Sequence, residues 1–128
     1  METDHISHRL WDCICIRPFL ETILQDVVNW TNTAQDITKV EYLFGMDGLN
    51  CDGINHFLLE AKMFIFYSWN ENELTETSVS RFYSQIRKMI ILEKSLACNE
   101  RKYDLFCYKW GSFIEIYNFY GPDRCTFL

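Results

Sequence analysis

The sequence predicts an all-α fold, a small bundle of four to six helices in one domain. A chain of 128 residues has the usual length of a single domain. Apolar side chains recur at spacings of three and four in most of its segments, which is the helical period. The two prolines, Pro18 and Pro122, lie near the ends and leave the interior free of this helix breaker. One short strand or irregular segment remains an alternative near residues 40–44.

The N-terminal part predicts two helices. A short helix is expected over Ile6–Asp12, and a longer one from Pro18 to about residue 30. Pro18 suits the first turn because its missing N–H is not needed there. The apolar positions of the longer helix follow at spacings of four and three: Phe19, Ile23, Val27 and Trp30.

The clearest helical pattern lies in the middle of the chain. Asp52 can cap a helix that runs to about Trp69, with Gly53 in its first turn. Apolar residues cover one side, at Ile54, Phe57, Leu58, Ala61, Phe64 and Ile65, and also the other, at Met63, Phe66 and Tyr67. A helix that is apolar nearly all round is usually buried. We therefore expect this helix to be central to the bundle.

A fourth helix is expected from a cap at Thr77 to about Cys98. Its core stripe consists of Val79, Phe82, Ile86, Met89, Ile90 and Ala97. Glu93 falls inside this stripe, so we predict that it is substantially buried. A buried carboxylate finds hydrogen-bond donors or its pKa rises. The candidate donors are an Arg or Lys of a neighbouring helix, or free N–H groups at a helix start.

A fifth helix follows a stop at Asn99. Its apolar positions are Tyr103, Phe106, Cys107 and Trp110. Gly111 is expected to interrupt this helix. The aromatic residues 112–120 then fit either a helix or a strand.

Charge is unevenly distributed along the chain. The formal net charge is −6, which excludes a globally basic nucleic-acid binder. Residues 1–80 hold 4 basic and 13 acidic side chains, whereas residues 81–109 hold 7 basic and 3 acidic ones. Such asymmetry can mark a binding face, and it is also typical of solvated helices. The candidate nucleic-acid-binding residues lie opposite the apolar stripe of the fourth helix or just after it: Arg81, Arg87, Lys88, Lys94, Arg101 and Lys102.

The lack of a recognisable secretory or membrane-spanning pattern predicts an intracellular protein, cytoplasmic or nuclear and not secreted. The first residues are acidic and lack an apolar run, so no secretory signal is expected. The longest nearly apolar run, residues 63–69, is shorter than the ~20 residues that span a bilayer. We therefore expect no membrane partner, and we expect the six cysteines to be mostly reduced.

Two residue pairs have the spacing of half a zinc site. His8 and Cys13 match the second half of a zinc knuckle, and Cys51 and His56 repeat the spacing in reverse. Structural zinc takes four protein ligands, so each pair alone is incomplete. We predict no tightly bound zinc and no cofactor, while a site in which both pairs share one ion stays an alternative. A phosphate loop, a nucleophile elbow and an Asp-Asp pair are all lacking, so we predict that the chain is not an enzyme.

Four blocks of the sequence resemble the region beyond the polymerase in reverse transcriptases of LINE-type non-LTR retrotransposons. DHISHRLWDC and IRPFL, within residues 4–20, are similar to the family pattern E-T-x-x-H-x-x-W-x-C…F-W. HFLLEAKMFI (56–65) is similar to the family's ILLxAKYFI helix, and LEKSLA (92–97) to its LEKxIA run. Lys109-Trp110 resembles the closing KW, although GSFI (111–114) follows here instead of PFL. The blocks stand in the family's order.

The resemblance implies a zinc knuckle followed by helices that assist binding of the template RNA. His8 and Cys13 map onto the third and fourth knuckle ligands, while the first two ligands and the catalytic domains have no counterpart in this sequence. By resemblance, residues 1–30 combine a truncated zinc-knuckle remnant with a helix. Residues 31–120 form a helical core packed with it as a single domain, and residues 121–128 form a tail. The chain resembles a terminal fragment, which need not keep a function.

The favoured function is weak, noncatalytic binding of RNA or another single-stranded nucleic acid through the six basic residues. A small helical protein–protein interaction module is the alternative. The net negative charge of residues 1–80 and exposed aromatic side chains would be the evidence for such an interaction module.

Overall fold

Five α-helices and two short helical turns make up the regular structure of the described residues. The computed structural model describes residues 8–31, 35–48, 51–68, 74 and 76–120. A π-helical turn (His8–Asp12) and a 3-10 turn (Ile14–Ile16) precede the helices α1 (Arg17–Thr31), α2 (Lys39–Phe44), α3 (Asp52–Tyr67), α4 (Glu76–Asn99) and α5 (Tyr103–Tyr120). These described residues contain no strand, so the all-α prediction is confirmed. Residues 40–44 are helical.

Helix α1 is one wall of the core. It spans the predicted range to within one residue at each end. Its inward side buries five apolar residues, Phe19, Leu20, Ile23, Leu24 and Val27. The ring of Phe19 stacks on Phe64 of α3 at 5.2 Å between centroids and meets Phe82 of α4 edge-on at 5.5 Å. Aromatic pairs at such distances add to the burial energy, so three helices are joined at one point.

Helix α2 is short, and side chains stabilise both of its ends. At its start, the Thr38 hydroxyl accepts from the Glu41 N–H while the Glu41 carboxylate accepts from the Thr38 N–H, which is a capping box. At its end, Lys62 of α3 donates to the carbonyl oxygens of Tyr42 and Leu43 at 2.8 and 3.1 Å. Residues 40–44, for which a short strand is the alternative in the sequence, therefore belong to a capped six-residue helix.

Helix α3 differs from its prediction in three respects. Cys51, not Asp52, occupies the cap position, and Asp52 is the first helical residue. The helix ends at Tyr67, two residues before the predicted end. The expectation that this helix is buried nearly all round is also wrong, because its neighbours cover only the side that carries Phe57, Ala61 and Phe64. Large apolar side chains are exposed on the uncovered side: Leu59, Met63, Phe66 and Tyr67.

Helices α3 and α5 cross closely at Gly53. A Cβ atom at this position would clash with the carbonyl oxygen of Lys109 and would lie 3.2 Å from Cζ2 of Trp30. Glycine is required here because two backbones meet. The crossing brings Trp30 onto Trp110, with 5.9 Å between ring centroids, and Trp110 is fully buried.

Helix α4 is the longest element and ends in a tight turn. Glu76 begins the helix, so Thr77 lies inside the first turn and does not cap it. At the other end, Lys102 N–H donates to the carbonyl of Ala97 at 2.7 Å and Arg101 N–H donates to Cys98 at 3.4 Å. This is the Schellman pattern, and it requires a left-handed residue. Arg101 takes that conformation, with φ of 59°.

Helix α5 continues through Gly111, contrary to prediction. Trp110 and Phe113 are buried on either side of the glycine, at 0% and 5% exposed. Their packing outweighs the ~1 kcal/mol that a mid-helix glycine costs. Residues 112–120 extend the same helix, so this segment is helical and does not form the strand that the sequence also allows.

The two ends of the sequence are described only in part. Residues 6 and 7 of the predicted first helix and the predicted tail, residues 121–128, lie outside the described residues. In the part that is described, the ring of Trp11 packs on Tyr42 at 5.3 Å. Among the described helices, none is long and apolar enough to cross a membrane.

Candidate nucleic-acid interface

The six predicted basic residues lie along the outer side of α4 and in the turn that follows it. Arg81, Lys88, Arg101 and Lys102 are exposed, and Arg87 and Lys94 are partly buried. We call these six residues the basic face. The opposite side of α4 carries the buried residues Phe82, Ile86 and Ile90.

The basic residues of α4 form two rows. Arg81 and Lys88 are seven residues apart, as are Arg87 and Lys94, and residues seven apart share one side of a helix. The rows are separated by about 100° around the helix axis and extend over about 20 Å of its length. That length matches a few nucleotides of an extended strand. The turn adds Arg101 and Lys102.

Some residues of the basic face contact other residues of the chain. The Cζ atom of Arg81 lies 5.5 Å from the ring centroid of Phe64, which is a cation–π distance. Lys102 Nζ lies 3.6 Å from a carboxylate oxygen of Glu100, and both side chains are more than half exposed. Exposed ion pairs of this kind contribute little stability, so the Lys102 ammonium can exchange its partner for another anion.

The seventh basic residue of the 81–109 segment, Lys109, points inward. Its Nζ donates to Oε1 of Glu93 at 2.8 Å, and Trp110 Nε1 donates to Oε2 of the same carboxylate at 2.9 Å. A lysine of a neighbouring helix was among the predicted donors for Glu93. The Glu93 side chain is 30% exposed, so its burial is partial.

The environment of Glu93 lowers its pKa. Partial burial acts to raise the pKa, but the hydrogen bonds from Lys109 and Trp110, together with the charge of Lys109, outweigh it. The sequence allowed either donors or a raised pKa; the donors are present and the pKa falls.

His56 extends this arrangement into a chain of polar groups. Its Nδ1 lies 2.9 Å from Lys109 Nζ, and its Nε2 lies 3.4 Å from Oε2 of Glu60. Because the ammonium donates, Nδ1 accepts and the imidazole proton is on Nε2, facing Glu60. We call Glu60, His56, Lys109, Glu93 and Trp110 the inner polar cluster. It joins α3, α4 and α5.

Sequence reasoning found only part of this cluster. The carboxylate of Glu93 inside an apolar stripe was a usable signal, and so was the i,i+4 spacing of His56 and Glu60. Lys109 was counted with the other cations because nothing in the local sequence shows where α5 crosses α3.

The proposed metal ligands do not assemble in the described part of the chain. Cys13 is partly buried and packs against the core, and the side chain of His8 lies outside what the structure describes. The Cys51 thiol donates to the carbonyl of Asp47 at 3.7 Å, while His56 belongs to the inner polar cluster. Among the described residues, no three His, Cys, Asp or Glu side chains are grouped to hold a metal ion.

A cleft between α3 and α4 was not foreseen from the sequence. It has a volume of about 420 Å³ and opens beside the N-terminal end of the basic face. Glu60, Phe64 and Tyr67 of α3 line one side, and Arg81 and Gln85 of α4 line the other. Arg81 therefore belongs both to the cleft and to the basic face.

Comparisons with protein-family models, with curated proteins and with solved structures found no match. The resemblance to the retrotransposon segment consequently depends on the four sequence blocks. The activity has to be inferred from the residues and contacts described above.

Proposed function

We propose that the chain is a noncatalytic binding segment for single-stranded RNA and that the basic face of α4 is its contact surface. The proposal agrees with the sequence resemblance to the C-terminal region of LINE-type reverse transcriptases. It assigns no role to a metal, and it places the chain inside the cell, where such RNA is found.

The observation that carries the proposal is the division of cations within one segment. Lys109 is used internally, where it neutralises Glu93. The six remaining basic residues lie on the outer side of α4 or in the following turn, where Arg81, Lys88, Arg101 and Lys102 are exposed. Phosphate groups bind such a row because each contact releases condensed counterions.

The net charge sets the strength of binding. At −6 the chain repels RNA at long range, but at about 0.1 M salt this repulsion is screened beyond roughly 10 Å. Local contacts to phosphate survive the screening. Micromolar or weaker binding is expected, and it should be strongest at low salt.

The test is fluorescence anisotropy with a labelled single-stranded RNA at low salt, about 50 mM. The triple variant Arg87→Gln, Lys88→Gln, Lys94→Gln should lose binding, and its far-UV circular dichroism should be unchanged because Gln forms helix about as well as Lys. Lys39→Gln is the control, since Lys39 is an exposed lysine of α2 that pairs with Asp12. Absence of binding by the unmodified chain, or equal binding by the triple variant, would reject the proposal.

A second candidate is a protein-interaction module, and the uncovered side of α3 favours it. Phe66 and Tyr67 are 60% and 75% exposed, and Leu59 and Met63 lie on the same helix. Contiguous apolar surface is typical of interaction sites. This candidate becomes the leading account if the RNA experiment fails. In that case, Phe66→Ser should reduce binding of the chain to its partner protein. If the partner is a second copy of the chain, analytical ultracentrifugation should show reduced self-association.

A further inference from the structure

The cleft between α3 and α4 has walls of two kinds. One wall is aromatic: it contains Phe64, which is 5% exposed and lies 5.5 Å from Arg81 Cζ, and Tyr67, which is 75% exposed. The other elements are polar: the guanidinium of Arg81, the amide of Gln85 and the carboxylate of Glu60. A ligand that satisfies all of them needs a planar ring, hydrogen-bond donors on its edge and a nearby anionic group.

This combination excludes simpler ligands. A free phosphate or a fatty acid would meet Glu60, whose carboxylate only accepts hydrogen bonds. A purely apolar side chain would make no hydrogen bond to the polar groups of Glu60, Arg81 and Gln85 that line the cleft. An unstacked nucleobase has a π surface for tyrosine and guanidinium groups, and polar edges for amide and carboxylate groups.

Among the bases, guanine fits the carboxylate best. Its N1–H and N2–H₂ groups are adjacent donors, and the two oxygens of a carboxylate accept such a pair side by side. Uracil offers a single N3–H flanked by two carbonyl oxygens, which Glu60 would repel. The Oε2 atom of Glu60 lies 3.4 Å from His56 Nε2, so this contact helps to hold the carboxylate in place.

We propose that the cleft binds one unstacked base of single-stranded RNA, guanine in preference to uracil, with Tyr67 stacking on the base, Glu60 accepting from its Watson–Crick edge and Arg81 contacting the adjacent phosphate. The inference rests on the proposed function, because Arg81 connects the cleft to the basic face. It adds a base preference, which contacts to phosphate alone do not give.

The first experiment uses mononucleotides, which are too small to span the basic face. Guanosine 5′-monophosphate and uridine 5′-monophosphate are titrated into the full chain, and chemical shifts of the Gln85 side-chain amide and of the tyrosine rings are followed by NMR. We expect the guanosine nucleotide to shift these signals and to bind at least about fivefold more tightly than the uridine nucleotide. Equal binding of the two nucleotides would overturn the assignment of Glu60.

Two substitutions with matched controls assign the contacts. Tyr67→Ala should weaken guanosine nucleotide binding by about tenfold, whereas Tyr108→Ala, which removes another exposed tyrosine from α5, should leave it unchanged. Glu60→Gln should remove the preference for guanine, whereas Glu21→Gln, at an exposed glutamate of α1, should retain it. The proposal would be overturned if Tyr108→Ala weakened binding as much as Tyr67→Ala does. It would also be overturned if Glu60→Gln and Glu21→Gln had the same effect on the preference for guanine.

The outcomes separate the two proposals. If labelled RNA binds but the guanosine nucleotide causes no shifts at the cleft, the base-binding inference is wrong and the proposed function stands. If the nucleotide binds at the cleft but RNA does not bind at low salt, the proposed function is wrong and the cleft is a nucleotide site. Binding of both, with loss of guanine preference in Glu60→Gln, supports both proposals.

Discussion

The inner polar cluster and the basic face place lysine in different surroundings. Lys109 is 24% exposed at its side chain and contacts both Glu93 and His56. Lys88 is exposed on the outer side of α4. The comparison teaches that the charge of a segment does not reveal its role. What decides the role is whether a crossing helix brings a carboxylate to the cation.

The largest expected effect comes from the crossing that creates the inner polar cluster. Gly53→Ala places a methyl group against the carbonyl of Lys109, and neither backbone can yield without separating α3 from α5. We expect the free energy of unfolding to fall by about 2–4 kcal/mol in urea denaturation. Gly111→Ala is the matched control, since a Cβ atom there has no neighbour within 4 Å among the described residues. That variant should gain about 0.5–1 kcal/mol, and similar losses in both variants would contradict the crossing.

The next prediction compares two lysines directly. Lys109→Met removes a partner of a partly buried carboxylate and should reduce the free energy of unfolding by about 1–3 kcal/mol. Lys88→Met makes the same chemical change on the exposed face and should alter stability by less than about 0.5 kcal/mol. Both are measured by thermal and urea unfolding. A stability loss at Lys88 that equals the loss at Lys109 would remove the distinction between the two regions.

The pH dependence of stability should carry two contributions of opposite sign. The pKa of Glu93 is lowered in the folded state, so its stabilising contribution is present above the unfolded value of about 4 and is lost as the pH falls through the folded pKa. Asp26 differs, because burial raises its pKa although it accepts a hydrogen bond from Tyr83. Its protonated form is favoured by folding, so that contribution is present at low pH and is lost as the pH rises through the raised pKa.

Single substitutions separate these contributions. The destabilisation caused by Glu93→Gln should be greatest near neutral pH and should shrink towards pH 3, about one unit below the usual glutamate pKa. For Asp26→Asn the trend is opposite: the free energy of unfolding of this variant, relative to that of the unmodified chain, should increase as the pH rises. Unfolding curves recorded across this pH range check both, and identical pH profiles for the two variants would contradict the assigned environments.

The smallest effect concerns a residue with both a structural cost and a proposed binding role. Arg101 holds a left-handed conformation, which costs a non-glycine residue about 1 kcal/mol. Arg101→Gly should therefore raise the free energy of unfolding by up to about 1 kcal/mol and, at the same time, weaken RNA binding at low salt. Improved stability with unchanged RNA affinity would remove Arg101 from the basic face.

Local patterns in the sequence were sufficient for much of the fold. Helical spacing placed α1, α3 and α4 within two residues of their observed ends, because burial of one stripe dominates each of them. Gly111 was misjudged because the packing of Trp110 and Phe113 outweighs an intrinsic preference. Asp52 was misplaced because its side-chain chemistry suits a cap as well as a first turn.

The candidate site was harder to predict because it depends on how helices cross. The outward placement of the basic face follows from the helical period alone, since Phe82 and Ile86 fix the inward side. The partnership of Lys109 with His56 and Glu93 depends on Gly53 and the close approach of α3 to α5. The cleft beside Arg81 is likewise lined by residues of two helices, α3 and α4, so no single segment encodes it.

The most direct test of the account is the salt dependence of single-stranded RNA binding. Three or four phosphate contacts predict a slope of about −2 to −3 in log K against log salt concentration for the unmodified chain. The triple variant Arg87→Gln, Lys88→Gln, Lys94→Gln should bring this slope close to zero, whereas Lys39→Gln should leave it unchanged. Equal slopes for the unmodified chain and the triple variant would contradict the claim that the outward cations of α4 bind RNA.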